Sequence, residues 1–218
     1  MLSLKNKVWI KPQGNSLTIK KNRDINFDGL ITAGKTQYYG SDFSFIYNDF
    51  KLNMAHCDSM FIWADYLESK RKGSLVRSLS NIRSLEGYIE IDEPDNKSGV
   101  DTSHHEFPIL HSNTPTYVYY DDPSIQKGIY KREDFMFIVE PFEMDSLDEF
   151  TNEGLNLKGL FKSGGIFPDF TESLMIMPDY SLGFIKNTPV DGFKIYNQLA
   201  SYDNEIRLSN EGLKGTGT

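Results

Sequence analysis

Histidine, cysteine, tyrosine and carboxylate side chains are where chemistry would be sought, and in this chain they are few or scattered. It holds four histidines and one cysteine. His104, His105, Glu106 and His111 are the one histidine concentration, and imidazoles beside a carboxylate make a reasonable zinc-binding set. Adjacent histidines on extended backbone point to opposite faces, however, and the helical His-Glu-x-x-His spacing is missing. A solvated loop accounts for the same residues, so no metal and no other cofactor is expected. His56-Cys57-Asp58 sets a thiol beside an imidazole, but a thiolate–imidazolium pair is a contact in space that adjacency does not create. A strand end with a buried cysteine is the plainer reading. "DEPDNKSG", residues 92–99, offers oxygen ligands but puts Lys97 where a calcium loop needs a ligand or glycine, and turn chemistry suffices.

Carboxylates recur at Glu140, Glu143, Asp145, Asp148, Asp169, Glu172 and Asp179. Hydrolysis of a glycosidic bond needs two of them facing each other across a cleft, and spacing along a chain does not supply that. Tyr38 and Tyr39, with Tyr117, Tyr119 and Tyr120, are candidates for stacking on sugar rings; cross-strand tyrosine pairing is the commoner use of such residues. No residue is nominated as catalytic.

The elements that must position these groups read mainly as strands. Aromatic residues make up 13% of the chain, with 15 Phe and 12 Tyr, and alanine occurs only at 33, 55, 64 and 200, a composition suited to pleated, half-buried surfaces. "INFDGLITAG" reads as two strands or one bent strand. "FSFIY" and "FKLNM" then place Phe43, Phe45 and Tyr47, and Phe50, Leu52 and Met54, at alternate positions around a turn at Asn48-Asp49. In "LESKRKGSLVRSLSNIRSLEG" the period changes: Leu75, Leu79 and Ile82 fall at helical spacing, which predicts one amphipathic helix over about 74–84, capped by Ser74. Lys70, Arg71, Lys72, Arg77 and Arg83 would give it a basic side, more suited to flanking a sheet than to lying on a membrane. The stretch from Asp95 to Pro115 reads as loop. Strands follow in "TYVYY", "DFMFIVEPF", "LNLKGLF" and "SLMIM", with a helical turn at "DSLDEF" capped by Ser146.

The expected fold is therefore mainly β: stacked antiparallel meanders or an open, groove-like or solenoid-like sheet with that single helix. The 218 residues form one β-rich segment, with sub-units 1–92 and 116–218 joined by the loop 93–115. Acidic-Gly triplets at Asp28-Gly29-Leu30, Glu86-Gly87-Tyr88, Glu153-Gly154-Leu155 and Glu211-Gly212-Leu213 hint at repeated strand entries. A formal charge of −8 disfavours nucleic acid as a partner. No apolar run reaches the roughly 20 residues of a transmembrane helix, and the opening lacks a signal-peptide core.

"INFDGLITAG", "YYGSDFSFIYNDFKLNM", "LEGYIEIDEPDNKSG", "GIYKREDFMFIVEPFEMDSLDEFT" and "LKGLFKSGGIFPDFTESLMIMPDYSLGF" together resemble an internal segment of very large, uncharacterised β-rich proteins of Gram-negative bacteria. At fold level there is a looser similarity to envelope proteins of the AsmA and TamB type, whose short strands stack into a lipid-lined groove. The resemblance implies a structural or binding segment in the cell envelope, part of a longer chain and flanked by its neighbouring segments. A carbohydrate-binding or carbohydrate-active domain, and a lipid-carrying groove lined by Phe43, Phe45, Phe50 and Leu52, are the alternatives.

Overall fold

The structure is a computed structural model that describes residues 1–67, 73–196 and 199–217. Strand accounts for 51% of the chain and helix for 3%, in a large antiparallel sheet that is not closed on itself. In chain order the first strands are β1 (Val8–Pro12), β2 (Thr18–Ile19), β3 (Ile25–Ala33), β4 (Thr36–Ile46), β5 (Lys51–Asp65) and β6 (Leu75–Arg77). Next come β7 (Ile82–Glu90), β8 (Ile109–Ser112), β9 (Thr116–Tyr119), β10 (Phe135–Val139), β11 (Glu143–Met144) and β12 (Leu157–Ser163). The last are β13 (Phe170–Ile176), β14 (Leu182–Asn187), β15 (Phe193–Ile195), β16 (Ala200–Tyr202), β17 (Asn204–Ser209) and β18 (Gly212–Gly217).

The chain sorts into two compact units. Unit 1 takes Met1–Trp63, Ile82–Thr116 and Pro141–Thr151; unit 2 takes Ala64–Asn81, Tyr117–Glu140 and Asn152–Thr218. Residues 93–115, expected to join two sub-units, lie within unit 1.

In unit 1 the strand order is β1-β3-β4-β5-β7-β8-β11, with β2 alongside β3. "INFDGLITAG" is one bent strand, β3, whose register slips between Phe27 and Gly29. Similar slips fall at Tyr39/Gly40 and at Met54/Cys57. Each adds local twist and bends the sheet. Close strand approach is what fixes glycine at two of these bends: a Cβ on Gly40 would sit 2.0 Å from the His56 carbonyl oxygen, and one on Gly87 1.9 Å from that of His111. The coiled sheet buries Phe43, Phe45, Phe50, Leu52, Met54 and Ile89 to 4% exposure or less. Hydrogen bonds fasten its rims. Asn6 Nδ2 donates to the Ile91 carbonyl at 2.6 Å, and the Lys35 amide donates to the Leu147 carbonyl at 2.7 Å.

In unit 2 the order is β10-β12-β13-β14-β17-β18, with β9 beside β10 and a separate β15-β16 hairpin. Its core is aromatic: Phe161 lies 5.3 Å from Phe135 and 5.0 Å from Phe184, ring centre to ring centre, both edge to face. The Ser163 hydroxyl closes the β12–β13 turn by donating to the Phe167 carbonyl and accepting from its amide.

Four expectations need correction. The amphipathic helix over 74–84 is absent; that stretch holds β6 and the start of β7, and Leu75 and Leu79 are 43% and 62% exposed. Serines explain it: Ser78 Oγ donates to the Ser80 carbonyl and Ser80 Oγ accepts from the Leu182 amide, diverting the backbone from helical pairing. Lys70, Arg71 and Lys72 of the expected basic side lie outside the described residues. The supposed loop 95–115 contains β8, whose Leu110 is fully buried. Ser146 does not cap by its hydroxyl, which donates to the His105 carbonyl. The acidic-Gly pairs share no common position: Gly29 and Gly87 sit inside strands, Gly154 in a turn and Gly212 at the start of β18.

Candidate functional site

Cross-strand register sorts the unit 1 sheet into two faces. Val8–Ala33, Ile10–Ile31 and Tyr38–Met60 are paired on the core side. On the opposite side two rows run across the strands: Trp9–Thr32–Gln37–Phe61 and Lys11–Leu30–Tyr39–Ser59–Arg83. Trp63 follows Phe61 by two positions and shares its face. Trp9 is 42% exposed and Tyr39 37%, and Tyr39 meets Phe61 edge to face with centroids 5.9 Å apart. Both tryptophans of the chain therefore stand on one outer face, with a tyrosine, a phenylalanine and amide and cationic side chains between them. Between Trp9 and Gln37 in the same row is Thr32, 4% exposed, whose Oγ1 is buried without a hydrogen-bond partner.

The same face continues into a cleft of about 540 Å³ between the Gln13–Lys20 segment and the paired strands β3 and β4. The segment is held off the sheet by backbone that turns through positive φ at Gly14 (61°) and Asn15 (55°) and is then recaptured where Thr18 pairs Asn26. Gln13, Ser16, Thr18, Asn26 and Ser44 bring neutral donors and acceptors to the cleft. Asp28 and Asp42 add carboxylates and Lys20 an ammonium. Asp28 Oδ1 accepts the Asp42 amide at 2.8 Å, and Asp42 Oδ2 lies 3.0 Å from His56 Nδ1. A cleft of this volume with a few polar groups and adjoining aromatic surface has the make-up of a small-molecule or oligomer site.

Of the five tyrosines read as ligand contacts, Tyr39 alone belongs to this face. Tyr38 is fully buried, its hydroxyl accepting from Thr36 Oγ1 at 2.9 Å, and burial pushes its pKa well up. Tyr120 is also fully buried; its hydroxyl donates to the Leu182 carbonyl at 3.0 Å. Tyr117 and Tyr119 are half-buried in unit 2, rings parallel at 5.9 Å, and Arg132, itself paired with Asp121, lies 4.5 Å over the Tyr119 ring. Trp9, Asn26, Ser44 and Thr32 were not singled out by sequence; the alternation in "VWIKP" was the available signal for Trp9.

The histidines do not converge. His104 sits between Asp101 (3.5 Å) and Glu106 (3.7 Å), and the His105 carbonyl accepts from Ser146. His111 lies elsewhere, stacked on Tyr88 at 4.5 Å with Glu143 3.1 Å from Nδ1 and Glu90 3.4 Å from Nε2. Burial pushes the Glu90 carboxyl up, but Lys51 at 2.6 Å and His111 outweigh it and hold it below the usual range. Among the described residues no three His, Cys, Asp or Glu side chains are arranged to hold a metal ion. Cys57 is buried and faces away from His56; burial pushes its thiol up to about 12. "DEPDNKSG" is built around buried Asp92, which takes hydrogen bonds from Asn6, Asn96, the Glu93 amide and Lys5. The ammonium of Lys5 lies 3.2 Å from Asp92 Oδ2.

Four of the seven carboxylates are engaged separately: Glu143 with His111, Asp148 with Lys7 at 3.1 Å, Glu172 with Lys186 at 2.9 Å, and Asp179 with Ser181. No helix among the described residues is long and apolar enough to cross a membrane. No family model, curated protein or solved structure matches the chain.

Proposed function

We propose that the chain is a non-catalytic binding module whose ligand is a saccharide, taken up on the outer face of unit 1. The observation that carries this reading is the run of Trp9, Leu30, Tyr39 and Phe61 on one exposed face, continuous with a cleft lined by neutral hydrogen-bonding side chains. Sugar rings present apolar C–H faces and hydroxyl edges, and such a surface meets both: aromatic rings take the faces, amides and hydroxyls the edges. Binding without bond cleavage fits the engagement of both cleft carboxylates, Asp28 by the Asp42 amide and Asp42 by His56. Phe43, Phe45, Phe50 and Leu52 pack as core, which favours a saccharide over an acyl chain as ligand. A place in the cell envelope, as a segment of a larger protein, is the setting proposed from the resemblance.

Titration of the 218-residue chain with neutral oligosaccharides, followed by tryptophan emission and ligand-observed NMR, tests the reading. With oligosaccharides of several units, a saturable change whose affinity is weakened in Trp9→Ala and Tyr39→Ala is expected. Saturation unaffected by either substitution, or none with any saccharide, would refute it.

A further inference from the structure

We infer that the ligand is a linear, uncharged glycan of several sugar units, one end in the cleft and the following units laid over Leu30, Tyr39 and Trp9. This rests on the saccharide reading above and deepens it. Length is the first argument. Asn26, in the cleft, and Thr32, beside Trp9, lie six strand positions apart on β3, roughly 20 Å at the usual rise. That span is several times one sugar ring, and the bulge opposite Asp28, where β4 carries the extra residue, bends it without interrupting the face of β3. A single sugar would occupy the cleft and leave the aromatic rows bare.

Charge is the second. The cleft sets Asp28 and Asp42 against Lys20, with Lys11 and Arg83 outside it at the two ends of one aromatic row, and its remaining polar groups are amides and hydroxyls. An anionic sugar would be repelled there, while hydroxyls find donors and acceptors.

The third is the hydroxyl of Thr32. A buried polar atom without a partner is costly and uncommon. Register places this one on the outer face between Trp9 and Gln37. A sugar hydroxyl that reaches it beside its cross-strand neighbour Trp9 completes its hydrogen bonding. The platform is therefore a second subsite with its own polar anchor, separate from the cleft.

Isothermal titration of the full chain with linear β-1,4-linked gluco-oligosaccharides of two and six units tests this. The six-unit ligand is expected to bind about tenfold tighter than the two-unit one. Trp9→Ala, or Tyr39→Ala as a second variant, should remove the advantage of the six-unit ligand over the two-unit one. Thr32→Val should weaken the six-unit ligand alone, with thermal unfolding as for the parent chain. A six-unit oligogalacturonate should not bind. Equal affinity for both lengths, or equal weakening of both by Trp9→Ala, would overturn the two-subsite inference while leaving saccharide binding standing. Absence of binding by any of the neutral oligosaccharides would remove both together.

Discussion

Asp92 shows how a residue that looks like a ligand is converted into framework. Its carboxylate is 2% exposed and gathers donors from Asn6, Asn96, Lys5 and the Glu93 amide. Burial alone would push its pKa up; these bonds outweigh burial and lower it. Because the folded value is the lower one, the contribution is present above the ordinary aspartate range of roughly 4 and is lost as pH falls through the folded value. Asp92→Ala should cost about 2–4 kcal/mol by taking the shared acceptor from four donors, two of them buried, read as a shifted urea midpoint. Asp92→Asn should flatten the loss of Tm between pH 5 and 3 relative to the parent chain. Cys57 makes a complementary case, since a thiol held near 12 and sealed in the core is a poor nucleophile. Its reaction with a thiol reagent at pH 8 should proceed at the rate of global unfolding; a fast phase in the native protein would contradict the buried placement. Legibility at this scale was uneven for a physical reason. Alternation told that Phe43 and Leu52 face one side, but Tyr38 and Tyr39, adjacent in sequence and alike in chemistry, take opposite faces, and which face is wet is decided by strands far away in the chain.

Elements were legible where the pattern was long. Alternation in "FSFIY" and "FKLNM" marks the second half of β4 and the start of β5, while Thr36–Ser41 of β4 does not read as strand and β3 stays open between two strands and one bent strand. The four residues of β8 do not read as strand either, being set in polar text whose strand character comes from β7 and β11 on either side. The missing helix is the converse error: three apolar residues at helical spacing outweighed four serines, and the serines won because their hydroxyls had specific carbonyls and amides to bond. Where two strands pack most tightly, the constraint is on the backbone. Gly87 has its neighbour's carbonyl oxygen 1.9 Å from the point where a Cβ would stand. Gly87→Ala should therefore separate β7 from β8 and cost about 3 kcal/mol, at the upper end of overpacking. Glu86→Ala, one position away with an exposed side chain, should stay within about 0.5 kcal/mol. Chemical denaturation of the two variants side by side separates backbone approach from a general weakness of the strand.

At the scale of the whole molecule, the chain passes from one unit to the other at 63–64, 81–82, 116–117, 140–141 and 151–152, so no single cut yields both intact. A linear reading looks for a linker and finds polar text at 93–115; contacts, not composition, draw the units. Unit 1 is completed late, by residues 141–151, which bring β11 to the edge of β8 and insert Leu147, fully buried, with its carbonyl on the Lys35 amide. A fragment of residues 1–116 keeps both tryptophans and the strands from β1 to β8 of unit 1, yet lacks that closing piece. Losing one such buried leucine costs about 2–5 kcal/mol, a large share of the roughly 5–15 kcal/mol that holds a domain folded. The fragment is therefore expected to lose its sharp unfolding transition by tryptophan emission. Added peptide 141–151 should bind the folded form and restore the transition in proportion to its concentration, as any ligand of the native state does. A fragment that unfolds with the midpoint and slope of the full chain would mean that unit 1 is finished by residue 116 and that the late return is ornament.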